Sequence, residues 1–92
     1  MGLLADYDLA WYAHDDGWVA RAELRDPDAT APRRGSMKTY RFAHVNIVPW
    51  HIDRRHGKVY ADVSWTPVRT THWLDSIDDA KLWVEAIYAL EQ

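Results

Sequence analysis

His51-Ile52-Asp53-Arg54-Arg55-His56 places three potential metal ligands within six residues, and neutral imidazoles beside a carboxylate can hold zinc or another transition metal. Two arginines in between would repel a cation, and a strand position for His51 with a turn position for His56 sends the two imidazoles apart. No metal site is expected. Pairing outward from a His56-Gly57 turn also sets His51 opposite Asp62, with Ser64 diagonal to it, which nominally supplies a base, an orienting acid and a nucleophile. On an open sheet such a group lacks oxyanion donors and water exclusion, so a surface His–Asp pair is the plainer reading. The chain carries no glycine-rich phosphate loop, no paired buried carboxylates and no recognised catalytic signature. It is expected to be no enzyme and to need no cofactor.

A second chemistry is available to the cations. Arg33, Arg34, Lys38 and Arg41 form one basic cluster, and Arg54, Arg55, His56 and Lys58 form another. Brought together beside Tyr40 or Phe42, they would make a positive patch able to grip phosphates and stacked bases. A formal charge of -3 and a pI near 5.9 weigh against this, because nucleic-acid-binding domains are more often basic and loop-tip charges are usually just solvated. Nucleic-acid binding through Arg33, Arg34, Lys38, Arg54, Arg55 and Lys58 is therefore the alternative reading. Six Trp and five Tyr in 92 residues exceed what one small core needs, and such side chains are favoured where proteins meet partners. The leading expectation is a protein-interaction module with some exposed aromatic surface.

Length and a 48% hydrophobic content describe one domain with one core. The absence of cysteine excludes a disulfide framework and thiolate metal sites, and a reducing cytoplasm is the natural compartment. No apolar run approaches the roughly 18 residues of a membrane span, and no basic-then-apolar leader opens the chain.

The elements that must position these residues follow from local pattern. Residues 1–6 read as a short tail. Asp8 to Arg25 reads as a hairpin around Asp16-Gly17, with Ala13 opposite Ala20, Trp11 opposite Ala22 and Leu9 opposite Leu24 on one face, and Tyr12 opposite Arg21 on the other. Residues 26–37, with two prolines and a glycine, read as a long mobile loop. Lys38 to Ile52 reads as strand with a change of phase, for which a bulge near Asn46 would account. The second hairpin sets Ile52 opposite Ala61, Trp50 opposite Val63 and Val48 opposite Trp65. A short fifth strand is expected around Thr71, His72 and Trp73.

Leu74 to Leu90 closes the chain as an amphipathic helix. Asp75 or Ser76 can cap it, and Asp78 and Asp79 complement the dipole in the first turn. Ile77, Ala80, Trp83, Val84 and Ile87 fall on the core side, Asp78, Lys81 and Glu85 on another, and Leu82, Ala86 and Ala89 form a second, weaker apolar stripe. The fold class is α+β: an antiparallel meander of four or five strands with the C-terminal helix on one face. The ending Ser76-Ile77-Asp78-Asp79-Ala80-Lys81-Leu82-Trp83-Val84-Glu85 resembles the close of small uncharacterised accessory proteins of actinobacteria and their phages. That resemblance implies a partner-binding role, such as occupying and inhibiting a host protein.

One helix covers one face. The opposite face, with Tyr12, Arg21 and Tyr60, and with the aromatic start of the third strand at Tyr40, is the expected partner surface, to which Leu82 adds a second contact. A homodimer is one way of covering it. Trp83→Ala is expected to cost about 3–5 kcal/mol, as for an emptied buried aromatic site, whereas Leu82→Ala should leave a monomer's thermal melt nearly unchanged.

Overall fold

Alternating apolar and polar side chains hold five segments extended, and in the computed structural model, which describes residues 4–15, 17–25, 38–48, 58–65 and 70–91, they form one sheet. The strands are β1 (Tyr7–His14), β2 (Gly17–Leu24), β3 (Thr39–Val48), β4 (Lys58–Val63) and β5 (Thr70–Leu74). Each pairs antiparallel with the next in the order β1-β2-β3-β4-β5, and α1 (Ile77–Leu90) packs on one face. The α+β meander expected from the sequence is therefore the fold.

Both hairpin registers differ from expectation. β1 and β2 close on His14 opposite Gly17, which sets Trp11 opposite Ala20, Leu9 opposite Ala22 and Tyr12 opposite Val19. Because the slip is even, every side chain keeps its expected face. Gly17 is a strand residue rather than a turn residue. A Cβ there would lie 1.8 Å from the carbonyl oxygen of Val45, so the close approach of β3, not turn geometry, requires glycine. In the second pair Val48 faces Lys58, not Trp65, and Val45 faces Ala61. Trp50 and Ile52 lie outside the described residues, as do the turn at His56-Gly57 and the loop 26–37.

The phase change in β3 is real but sits earlier than Asn46. Ala43 pairs with Ala20 while Arg41 pairs with Arg21, so Phe42 is the extra residue of a bulge. Consecutive residues Phe42 and Ala43 are both fully buried. Phe42 reaches the helix, its ring meeting Tyr88 edge to face at 5.0 Å, while Ala20, Ala22, Ala43 and Ala61 keep the sheet beneath it thin.

Ser76 is the helix cap, its Oγ accepting from the Asp79 amide at 3.1 Å, and Leu74 belongs to β5. Ala80, Val84 and Tyr88 are buried, with Ile77, Trp83 and Ile87 half-buried beside them. Trp83 is thus a border residue, stacked at 5.5 Å on His72, and not the central core residue that periodicity suggests. Lys81 is half-buried and Glu85, though exposed, is engaged by a neighbouring strand. The helix rests on β3, β4 and β5, and the flank over β1 and β2 is filled instead by long side chains: Lys81 Nζ lies 3.6 Å from the Trp18 ring centroid, and Trp11 Nε1 donates to Glu85 at 3.2 Å.

Leu4, inside the expected tail, is fully buried. Its amide donates to the carbonyl of Glu91 at 3.0 Å and its carbonyl accepts from Tyr7 at 3.0 Å, tying the start of β1 to the end of α1.

Phe42→Ala should therefore cost about 3–5 kcal/mol in a denaturant titration, and Trp83→Ala clearly less. Gly17→Ala should cost about 3 kcal/mol, since backbone rather than a yielding side chain occupies the space. Should Trp83→Ala prove more damaging than Phe42→Ala, this core assignment fails.

Candidate functional site

Period-two alternation sends every second strand residue away from α1, and among the described residues no element covers that outer face. Tyr12 stands there 46% exposed. Its hydroxyl hydrogen-bonds Glu23, and this bond, ahead of partial desolvation, pushes the phenol pKa up. Arg21 lies beside them and donates from Nε to Thr39 Oγ1 at 3.1 Å. On the far side of the face Tyr60 and Trp73, directly opposite each other on β4 and β5, pack with ring centroids 4.9 Å apart. Cross-strand partners thus fix both aromatic positions before any ligand arrives.

A polar line continues the row of Tyr12 across the sheet, one row along from Tyr60 and Trp73. Asp62 is the buried charged residue of the described core, flanked by His44 on β3 and Thr71 on β5. The expected partner, His51, is outside the described residues, and the observed register gives its place to His44. His44 Nε2 is 3.9 Å from Asp62 Oδ2, and its Nδ1 is 3.0 Å from the Arg41 guanidinium. A guanidinium only donates, so Nδ1 accepts and the ring proton sits on Nε2, toward the carboxylate. Ser64 follows β4, its amide donating to the Phe42 carbonyl at 3.1 Å.

The remaining sequence-derived candidates separate. Tyr40 does not share the outer face. It lies half-buried on the helix side, between Tyr7 at 5.5 Å and Trp65 at 5.0 Å, because it precedes the bulge in the same phase as Phe42. Leu82, 64% exposed, stands with Ala86 and Ala89 on the solvent side of α1, across the molecule from Tyr12. Arg33, Arg34, Arg54 and Arg55 lie outside the described residues. Their flanking anchors are apart: Lys38 precedes β3, and Lys58 pairs with Val48 at its other end. Ten residues of strand separate these ends, about 33 Å. Lys58 is also bound to Asp75, whose carboxyl that hydrogen bond and charge hold below its ordinary value.

Comparison with protein families, curated proteins and solved structures finds no match to this chain. The site must be read from its chemistry alone. Strand alternation in the sequence already puts Glu23 on this face with Tyr12 and Arg21. Sequence reasoning missed Trp73 and His44, because the face of Trp73 depends on how β5 pairs, and that of His44 on which side of the bulge it falls. Among the described residues no three His, Asp or Glu side chains converge as a metal site requires, and no described helix is long and apolar enough to cross a membrane.

Because the folded Asp75 carboxyl titrates below its ordinary 3.8, its stabilising contribution is present above that value and is lost as pH falls through the folded pKa. Lys58→Met should return the Asp75 titration, followed by carboxyl NMR, to the ordinary range and flatten the acid limb of stability. An unmoved Asp75 titration in Lys58→Met would show that the lysine is not the cause.

Proposed function

We propose that this chain is a non-enzymatic protein-interaction module that grips a partner protein with its outer sheet face. The observation carrying the reading is the pair of preset aromatic positions, Tyr12 held by Glu23 and Tyr60 held against Trp73, with Arg21 beside the first, on a face without a described cover. Tyr, Trp and Arg are the side chains that most often dominate binding energy, and anchoring them in advance reduces the entropy lost on association. The buried Asp62 and its His44 neighbour add a polar centre that a partner would have to match, which favours selectivity over general stickiness. A phage-type accessory protein that inhibits a host protein by occupying its surface is one form of this role, and a cytoplasmic setting suits a Cys-free chain.

Affinity capture from the cells that make the protein should recover a stoichiometric protein partner. Tyr12→Ala should weaken that capture about tenfold or more, as for a truncated anchor, while shifting stability by no more than about 0.5–1 kcal/mol at this exposed site. Capture that survives Tyr12→Ala and Tyr60→Ala together, or that Leu82→Ala alone abolishes, would move the contact surface elsewhere.

A further inference from the structure

β1 is an edge strand of eight residues among the described strands, paired with β2 without a register shift; it has no proline, no lysine and no bulge, and its one acid, Asp8, is already held by Arg25 at 2.9 Å. The direction of its free hydrogen-bonding groups follows from one observed bond. Arg25 N donates to Asp6 O at 2.9 Å, which makes Asp6 and Arg25 a hydrogen-bonded pair. Such pairs alternate along an antiparallel ladder, so Asp8, Ala10, Tyr12 and His14 bond inward to β2. Tyr7, Leu9, Trp11 and Ala13 then turn their amides and carbonyls outward. The outward amide of Tyr7 is already taken by the carbonyl of Leu4, and among the described residues no strand meets Leu9, Trp11 or Ala13 on that side.

We propose that this edge pairs with the same edge of a second copy, antiparallel, about a two-fold axis through Trp11 and normal to the sheet. This goes beyond the partner-binding reading of the outer face and does not depend on it. The strand is self-complementary in this register. Leu9 faces Ala13 of the second copy, Trp11 faces Trp11, and each facing pair exchanges both of its bonds, about six in all. The pairing stops short of Tyr7, whose amide is occupied. On the outer face Asp8, one of whose carboxylate oxygens Arg25 of its own copy binds, meets His14 of the second copy, an acid opposite a base, and Ala10 meets Tyr12, small opposite large. A two-fold axis through Ala10 instead would set Ala13 against the blocked amide of Tyr7 and lose the Asp8–His14 match. The helix backbone packs mainly on β3, β4 and β5, and α1 reaches β1 through Glu85 and Lys81, which meet the Trp11 indole. Both helices would share one side, and the two outer faces would join into one ten-stranded platform.

The test is sedimentation over a concentration series, with amide exchange of the full chain at both extremes. The expected result is a reversible dimer in which the amides of Leu9, Trp11 and Ala13 gain protection as concentration rises. Ala13→Pro removes only an outward amide and should weaken dimerisation about tenfold or more. His14→Asp, at an exposed position, sets two acids opposite each other and should weaken it likewise, and Asp8→Asn in that background should restore it. This second series keeps the question decidable if proline disturbs the hairpin. A chain that stays monomeric up to about 1 mM overturns the proposal. So does a dimer that leaves these three amides unprotected and is indifferent to His14→Asp. Partner capture through Tyr12 and Tyr60 is measured separately, so either reading can fail alone.

Discussion

The edge-to-face contact between Phe42 and Tyr88 is the interaction on which the other arrangements rest. It joins the middle of the sheet to the last turn of the helix, and it exists because one extra residue in β3 lets Phe42 and Ala43 point to the same side. Without that extra residue, Phe42 would fall in phase with His44 on the outer face and the helix would meet a sheet lined largely with alanine and valine. With it, a large ring fills the space between α1 and β3 while the alanines at positions 20, 22, 43 and 61 let the backbone layers approach. The tie from Leu4 to Glu91 then holds the helix end over this contact.

The two faces of the sheet divide the physics between them. The helix side is apolar, dense and built from small and aromatic residues. The outer side is held by cross-strand polar pairs, Tyr12 with Glu23 and Arg21 with Thr39, and by the contact of Arg41 with His44 along β3. An antiparallel sheet tolerates this asymmetry because its ladder satisfies the backbone whichever face is wet. The outer face is therefore ordered without a cover among the described residues, and such order would suit the proposed recognition.

Trp11 and Trp18 illustrate how limited the reach of one helix is. A helix is about 10–12 Å across with its side chains, so a five-stranded sheet outspans it. The first two strands are roofed by the Lys81 ammonium over the Trp11 and Trp18 rings and by the Glu85 carboxylate bonding the Trp11 indole. A charged tip set over an aromatic face can belong to the polar pattern of the sequence and to the packing of the fold at once.

The amino-acid sequence alone determined what short-range physics controls: five extended segments, a capped C-terminal helix, the phase of Ala80 and Val84 toward the core, and the face assignment of Tyr12, Arg21 and Tyr60. These follow from periods of 2 and 3.6 and from cap chemistry, which need no distant partner. Only the tertiary structure decided register, bulge position and the membership of border residues. Gly17 resembles a turn glycine until β3 is seen to press on it. Tyr40 and Phe42 look like one aromatic strand start until the bulge separates their phase from that of His44, and Leu4 looks like tail until the last helical turn arrives beside it. In each case the deciding energy comes from a contact between segments far apart in the chain, and alternation along either segment is equally consistent with more than one such contact.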